Sequence, residues 1–275
     1  MKRGLMLELL FLATAPAVFL MWYIWRKDCY EPEPLGLIVK VFLFGCLSVI
    51  PTLILEYPFP EGLFTTAVVA PVAEEFVKFS VVFLVMYHHP EFDEPMDGIV
   101  YAAAASLGFA TIENIFYVLD GGLAVGIVRA FLSVPGHVIF SCIWGFALGI
   151  AKFRPAPARP VIIGAGLFSA MLLHGIFNFS LDAFNVLGFI LVIVVIVPMG
   201  WWITCRDIRC AHADPASACS AMGQAFIRAG DKMPVPPAPA ARPVPGVGRG
   251  EQVCPCCGTI AASGVRFCGN CGKEL

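Results

Sequence analysis

Two glutamates and a lysine lie in the middle of an apolar stretch that is long enough to cross a membrane. Residues 71–78 read Pro-Val-Ala-Glu-Glu-Phe-Val-Lys. On a helix, positions three and four apart lie on one face, so the Lys78 ammonium can reach the carboxylate of Glu74 or of Glu75. A charge inside a membrane helix costs about 3 kcal/mol on insertion scales, and it is tolerated where it faces a bundle interior or a wet cavity. The cluster therefore predicts a functional site inside the membrane.

Polar residues on other apolar stretches are the predicted partners of this cluster: Glu113, His137, His174 and Asn178. His174 and Asn178 are four positions apart and share a helix face. His137 follows Pro135-Gly136, a pair that can kink a helix and open its backbone. A single His or Asn in a membrane helix is often only an interhelical hydrogen-bonding group. Groups at similar depth on several stretches instead favour one shared polar site.

Carboxylates together with imidazoles are the groups that activate water for hydrolysis. In one mechanism, histidine and glutamate side chains hold a metal ion that keeps an open position for water, with His137 and His174 as the candidate histidine ligands. In another, a glutamate acts as the general base while His and Asn side chains stabilise an oxyanion. The alternatives to an enzyme are a proton- or ion-coupled transporter, or a non-catalytic membrane scaffold. A transporter typically has corresponding broken spans in two halves of the chain, and that pattern is not evident here.

The composition predicts an all-α polytopic membrane protein. Of the 275 residues, 59% are hydrophobic and 14% are charged, whereas a soluble domain carries about 25% charged residues. Seven apolar windows reach the length of about 20 residues that a membrane helix needs: 5–25, 36–56, 63–87, 97–119, 124–151, 161–183 and 186–204.

The distribution of basic residues predicts the orientation. Lys and Arg follow the first, fifth and seventh windows, whereas the loops near 57–62, 120–123 and 184–185 contain neither. Because basic residues favour the cytoplasmic side, the C-terminus is predicted in the cytoplasm and the N-terminus outside.

The C-terminal segment predicts a separate metal-binding module. Two Cys-x-x-Cys pairs, each followed by glycine, have the spacing of a structural zinc ribbon with four thiolate ligands: Cys254, Cys257, Cys268 and Cys271. The predicted domains are a membrane-embedded domain over 1–209, a Pro/Ala-rich linker over 210–250 and the ribbon over 251–275. The tail has no basic stripe, so a cytoplasmic protein partner is expected and nucleic acid is not.

In this order, the motifs resemble the PrsW family of intramembrane proteases, distant relatives of the CAAX prenyl endopeptidases. The resemblance covers about residues 8–205. It rests on Arg26-Lys27-Asp28 leading into Tyr30-Glu31-Pro32-Glu33-Pro34, Glu-Glu-x-x-Lys at 74–78, Glu91-Phe92-Asp93-Glu94-Pro95 running into Asp97-Gly98, Phe109-x-x-x-Glu113, the isolated His137, and His174-x-x-x-Asn178.

The resemblance implies hydrolysis of a peptide bond in a membrane-protein substrate, such as an anti-sigma factor, in the cell membrane of a prokaryote. It assigns water activation to Glu75 or Glu74, directly or through a divalent metal. His174 and Asn178 then bind that metal or stabilise the oxyanion, and His137 and Glu113 complete the polar shell. Lys78 keeps one glutamate ionised. The family is commonly labelled metalloprotease. Its relatives suggest a glutamate-based mechanism without metal, and the sequence fits both mechanisms equally well.

Overall fold

The structure is a computed structural model that describes residues 3–212, 251–253 and 260–262. The chain divides into two compact units, one formed by 1–25 with 33–213 and the other by 26–32 with 214–275. The described part of the first unit is helical, in agreement with the predicted all-α membrane domain.

The helices of the first unit, in chain order, are α1 (Arg3–Trp25), α2 (Leu35–Leu47), α3 (Val49–Glu56), α4 (Ala70–Val85), α5 (Pro95–Phe131), α6 (Ser133–Lys152), α7 (Arg159–Leu191) and α8 (Val197–Ala211). A 3₁₀ turn, Ala156–Ala158, precedes α7. Within the described residues, four helical stretches are long and apolar enough to cross a membrane: Glu8–Trp25, Leu35–Glu56, Pro95–Lys152 and Ala156–Ala211. The stretch that carries Glu74, Glu75 and Lys78 is helical too, but it is not one of these four.

The two longest helices each contain a break. The backbone adopts positive φ at Gly122 in α5 (φ 72°) and at Asn185 in α7 (φ 48°), conformations that Gly and Asn tolerate best. The Arg129 side chain lies 2.8 Å from that of Glu113, although sixteen residues of straight helix would separate them by about 24 Å. The chain therefore reverses at Gly122, inside the loop predicted at 120–123, and Asn185 lies inside the loop predicted at 184–185.

Two π-helical turns, Thr65–Val69 and Val192–Ile196, lead directly into α4 and α8. Each is followed two residues later by a proline, Pro71 or Pro198. Proline has no N–H to donate to the carbonyl four residues before it, so the regular α-helical pattern is interrupted in the turn that precedes it.

Glycines let the helices approach closely around α5. An added Cβ at Gly98 would collide with the Gly145 carbonyl of α6, and one at Gly108 would collide with the Phe42 carbonyl of α2. Small residues at helix interfaces are the usual means of close packing in membranes. Both residues of the Asp97-Gly98 motif therefore make structural contacts, since Asp97 also accepts the Glu94 backbone N–H in a capping box at the start of α5.

In the second unit, β1 (Glu251–Val253) pairs antiparallel with β2 (Ile260–Ala262), with Gln252 opposite Ala261. The ribbon cysteines Cys254, Cys257, Cys268 and Cys271 lie outside the described residues, as does the predicted linker over 210–250 from residue 213 onward. The zinc ribbon therefore stays a prediction. Helix α8 continues to Ala211, so the described membrane unit extends slightly beyond the predicted boundary at 209.

Candidate active site

Lys78 is the centre of the polar cluster in the membrane unit. Its Nζ lies 3.0 Å from Glu74 Oε2, 2.9 Å from Glu75 Oε1 and 3.0 Å from His137 Nδ1. The lysine is fully buried, and its ammonium lies 4.3 Å from the centroid of the Phe109 ring. Because an ammonium has three protons to donate, these contacts use all of them. The helical spacing predicted contact with either glutamate, and Lys78 contacts both.

Glu75 is held by four hydrogen-bond donors. Its Oε1 accepts from Lys78 and lies 3.1 Å from His174 Nδ1, and its Oε2 accepts from Ser141 Oγ and Trp144 Nε1, each at 2.9 Å. The residue is completely buried. An ionised carboxylate has about four acceptor sites, so Glu75 has none left for a water molecule.

Glu74 has the opposite environment. Its Oε2 accepts from Lys78, while its Oε1 has no hydrogen bond to any described residue. The side chain is 9% exposed, against 0% for Glu75. Glu74 is therefore the member of the Glu-Glu pair with an available oxygen.

His137 links the lysine to Glu113. Because Lys78 can only donate, His137 Nδ1 accepts from it, and the ring proton lies on Nε2, which donates to Glu113 Oε2 at 2.7 Å. This tautomer follows from the hydrogen-bond network. The Ser106 hydroxyl donates to the His137 carbonyl at 2.7 Å and ties α5 to α6 at this position. The structure thus brings together His137 and Glu113 as the sequence predicted.

His174 reaches the cluster from α7. Its Nδ1–H donates to Glu75, because a carboxylate only accepts, and Nε2 has no hydrogen bond to a described residue. The imidazole stacks on the Phe140 ring with centroids 4.6 Å apart. The next residue, Gly175, lies against the Ala67 carbonyl, from which an added Cβ would be 2.5 Å away. This close approach of α7 to the residues before α4 allows His174 to contact Glu75.

Asn178 lies elsewhere. Its Nδ2 donates to the Thr66 carbonyl at 2.9 Å, and the Thr66 hydroxyl donates to Asp182 Oδ2 at 2.6 Å. Asn178 therefore ties α7 to the π-helical turn and makes no hydrogen bond to the glutamates or histidines. π-helical turns recur at functional sites. A catalytic role for Asn178 stays a prediction.

Several residues of the site were not predicted from the sequence. Ser141 and Trp144 follow His137 by four and seven positions, so the helical period of α6 was an available signal. Arg129 pairs with Glu113 at 2.8 Å, and a lone basic residue inside a predicted span was a second signal. Glu56, at the end of α3, has a buried Oε1 that no described residue hydrogen-bonds.

The donor atoms of the cluster suit a metal ion only in part. One atom from each of four buried residues lies within 4.8 Å of the others: Glu74, Glu75, His137 and His174. However, the Lys78 ammonium contacts three of these residues. Among the described residues, the metal-ligand atoms of this group that make no hydrogen bond are Glu74 Oε1 and His174 Nε2. Catalytic zinc usually has about three protein ligands. As arranged, the cluster does not fit a metal ion unless Lys78 moves away.

Known proteins resemble the chain over this region. The family profile described as "PrsW family intramembrane metalloprotease" matches residues 33–203. The Protease PrsW of Geobacillus kaustophilus is 39% identical over 228 residues, which is 80% of this chain and 100% of the relative. Those of Oceanobacillus iheyensis and Bacillus subtilis are 37% and 34% identical over 75% and 72% of this chain, and over 97% and 93% of their own lengths. No solved structure matches the chain.

Proposed function

The chain belongs to the PrsW family of intramembrane proteases, and on that premise we propose that it hydrolyses a peptide bond of a membrane-protein substrate with Glu74 as the general base. One observation carries the assignment of the base. Among the described residues, no donor hydrogen-bonds Glu74 Oε1, whereas the neighbouring Glu75 is saturated by four donors. The Lys78 ammonium pairs with the other oxygen of Glu74 at 3.0 Å, as it would with an ionised carboxylate, which is the form that can accept a proton.

In the proposed reaction, Glu74 Oε1 takes a proton from a water molecule as the water oxygen attacks the scissile carbonyl carbon. The tetrahedral intermediate collapses by breaking the carbon–nitrogen bond, and the proton passes from Glu74 to the departing amine. The second water proton stays on the new carboxyl group and then passes to the amine, so the products are a carboxylate and an ammonium ion, and Glu74 returns to its ionised form. General acid–base catalysis of this kind contributes about 10²–10⁴-fold to a rate.

Glu75 and His174 form a second functional pair in this proposal. Glu75 fixes the His174 tautomer by accepting from Nδ1–H, which leaves the Nε2 lone pair directed away from that bond. Orientation of an imidazole by a carboxylate is a recurring device in hydrolases. His174 then accepts a hydrogen bond from the attacking water and orients it.

The membrane arrangement that we propose has seven crossings. The reversal at Gly122 and the backbone break at Asn185 support it, because each interrupts a helix that is too long for one crossing. The C-terminus lies in the cytoplasm, where a reducing environment suits a zinc ribbon. The bacterial relatives support a prokaryotic cell membrane. A membrane-impermeant thiol reagent should leave the tail cysteines of intact spheroplasts unlabelled, and labelling would contradict this orientation.

The position of the site predicts the class of the substrate, a membrane protein, but not its identity. An anti-sigma factor is the kind of substrate that the resemblance implies, and the zinc ribbon is a candidate docking module for a cytoplasmic partner. Neither identity is needed to test the activity.

The test compares new protein termini in membranes of cells that produce the wild-type chain or Glu74→Gln. We expect a terminus within or beside a transmembrane segment of another protein to appear with the wild type and to be absent with the variant. Glu61→Gln, at an exposed loop position, is the matched control and should behave as wild type. Identical termini with Glu74→Gln at equal protein level would contradict the proposal.

A further inference from the structure

Arg129 lies outside every motif identified in the sequence, yet its side chain contacts the site. We propose that Arg129 is a positioning residue of the protease, which holds Glu113 and, through it, the His137–Lys78 arrangement that leaves Glu74 available. This inference rests on the proposed function.

Three contacts fix the Arg129 guanidinium. Its Nη2 lies 2.8 Å from Glu113 Oε2, its Nε donates to Asn114 Oδ1 at 2.7 Å, and its Cζ lies 3.9 Å from the centroid of the Tyr117 ring. The planar fork of arginine can make such contacts at once, whereas lysine offers a single charged point. All of these partners precede the reversal at Gly122 and Arg129 follows it, so the contacts join the two halves of α5.

Glu113 connects the Arg129 side chain to the site. Its Oε2 receives both the Arg129 guanidinium and His137 Nε2–H, the latter at 2.7 Å. With its proton held on Nε2, His137 accepts from Lys78 through Nδ1. The remaining protons of Lys78 are then directed at the two glutamates. A continuous series of contacts therefore runs from Arg129 to Glu74, first the Arg129–Glu113 ion pair and then the hydrogen bonds through His137 and Lys78.

The charges of this network make Arg129 necessary. Among the described residues, the carboxylates of Glu74, Glu75 and Glu113 are paired with two cations, Lys78 and Arg129. Without Arg129, Lys78 is the one lysine or arginine left among the described residues to balance the three carboxylates. Glu113 then keeps His137 as its one partner among them. Glu113 is then free to change its side-chain conformation, and the His137 ring loses the acceptor that orients it.

A purely structural role, in which Arg129 only fastens the reversal at Gly122, predicts different behaviour. In that case Arg129→Gln lowers stability, and the correctly folded fraction cleaves at the normal rate. In the positioning role, the rate per folded molecule falls. Because Arg129 acts through Glu113, removing Arg129 should cause little further loss of kcat in a variant that already lacks the Glu113 carboxylate.

The experiment measures kcat and KM of the full-length chain in liposomes, with the substrate found from the new termini described above. The variants are Arg129→Gln, Arg129→Lys, Glu113→Gln and the double variant Arg129→Gln with Glu113→Gln. Arg206→Gln is the matched control, because Arg206 also pairs with a carboxylate, Asp207 at 2.6 Å, in the last part of α8.

We expect Arg129→Gln to lower kcat per folded molecule by about 10–100-fold, because misplacement of a catalytic group by about 1 Å can cost about 10²-fold, with KM changed less than about threefold. Arg129→Lys should lie between Arg129→Gln and the wild type, because it keeps the charge and loses the fork. The double variant should be no slower than Glu113→Gln alone. If Arg129→Gln does not fold, the same cycle is measured with Arg129→Lys.

An unchanged kcat in the Arg129 variants would overturn the inference, as would a double variant whose loss equals the product of the single losses. Failure of the proposed function is distinguishable from failure of this inference. If Glu74→Gln still cleaves the substrate, the proposed function is wrong; if Glu74→Gln is inactive and Arg129→Gln is fully active, only the role of Arg129 is wrong.

Discussion

Adjacent residues of the Glu-Glu pair have different environments, and the roles that we propose for them rest on this difference. Glu75 accepts hydrogen bonds from four residues, namely Lys78, Ser141, Trp144 and His174, whereas Lys78 is the one described residue that donates to Glu74. A fully bonded buried carboxylate organises the groups around it, and a carboxylate with an available oxygen can accept a proton.

This difference predicts that Glu75→Gln destabilises the protein far more than Glu74→Gln does. The amide that Glu75→Gln introduces would have to direct N–H groups at Trp144 or Lys78, which are themselves donors. Removing one partner of a buried ion pair costs about 3–5 kcal/mol. After Glu74→Gln, in contrast, Lys78 keeps Glu75 as its partner.

Thermal unfolding of the purified variants in one detergent measures the effect, with Glu61→Gln as the control. The midpoint of Glu75→Gln should lie well below that of Glu74→Gln. Equal midpoints would show that the donors around Glu75 do not hold the fold together.

The sequence predicted the Glu–Lys contacts but could not rank the two glutamates. Helical spacing places Lys78 beside both. The ranking depends on Ser141 and Trp144, which a different helix brings to Glu75. Contacts between helices of this kind are set by tertiary packing, and the spacing along one segment contains no information about them.

At the scale of the elements, the approach of α7 to the residues before α4 sets the geometry of the site. Gly175 lies against the Ala67 carbonyl, one residue after His174. Asn178 fastens the same two segments one turn later through the Thr66 carbonyl. The position of His174 relative to Glu75 therefore depends on a close backbone contact that only glycine permits.

We expect Gly175→Ala to reduce proteolysis strongly, because its Cβ would lie 2.5 Å from the Ala67 oxygen and would push α7 away. Misplacement of a catalytic group by about 1 Å can cost about 10²-fold in rate. The initial cleavage rate per folded molecule is the measurement.

Gly164→Ala provides the matched control on the same helix, since an added Cβ there meets nothing within 4 Å. It should cleave at the wild-type rate. A Gly175→Ala protein with full activity would show that the close contact is not required for His174 to act.

The helices were predictable where hydrophobic length defines them. The predicted window at 36–56 corresponds to Leu35–Glu56, and the predicted loops at 120–123 and 184–185 contain the backbone breaks at Gly122 and Asn185. The π-helical turns were not predicted, although Pro71 and Pro198 were visible. A missing N–H explains why the pattern must break near those prolines, but it does not determine which alternative bonds form.

At the scale of the whole molecule, the chain combines an intramembrane protease unit with a cysteine-rich tail. The described strands β1 and β2 flank the first Cys-x-x-Cys pair in sequence. The spacing of Cys254, Cys257, Cys268 and Cys271 predicts the chemistry of the tail, and its position relative to the membrane is predicted from basic residues near the spans.

We predict that any zinc bound by the full-length protein belongs to the tail. A chain that ends at His212 should contain no stoichiometric metal and should still cleave the substrate after treatment with a chelator, because the Lys78 ammonium neutralises the glutamates of the site. Metal analysis of both proteins, together with the cleavage rate, is the measurement. Stoichiometric metal in the shortened chain, with activity lost on its removal, would support a metal mechanism instead.

The most direct measurement of the central claim is the initial rate of substrate cleavage by purified Glu74→Gln in liposomes, relative to wild type at equal folded concentration. Loss of the general base predicts a decrease of about 10²-fold or more, with normal insertion and a thermal midpoint close to that of the wild type. A rate within a few fold of the wild type would contradict the assignment of Glu74 as the group that activates water.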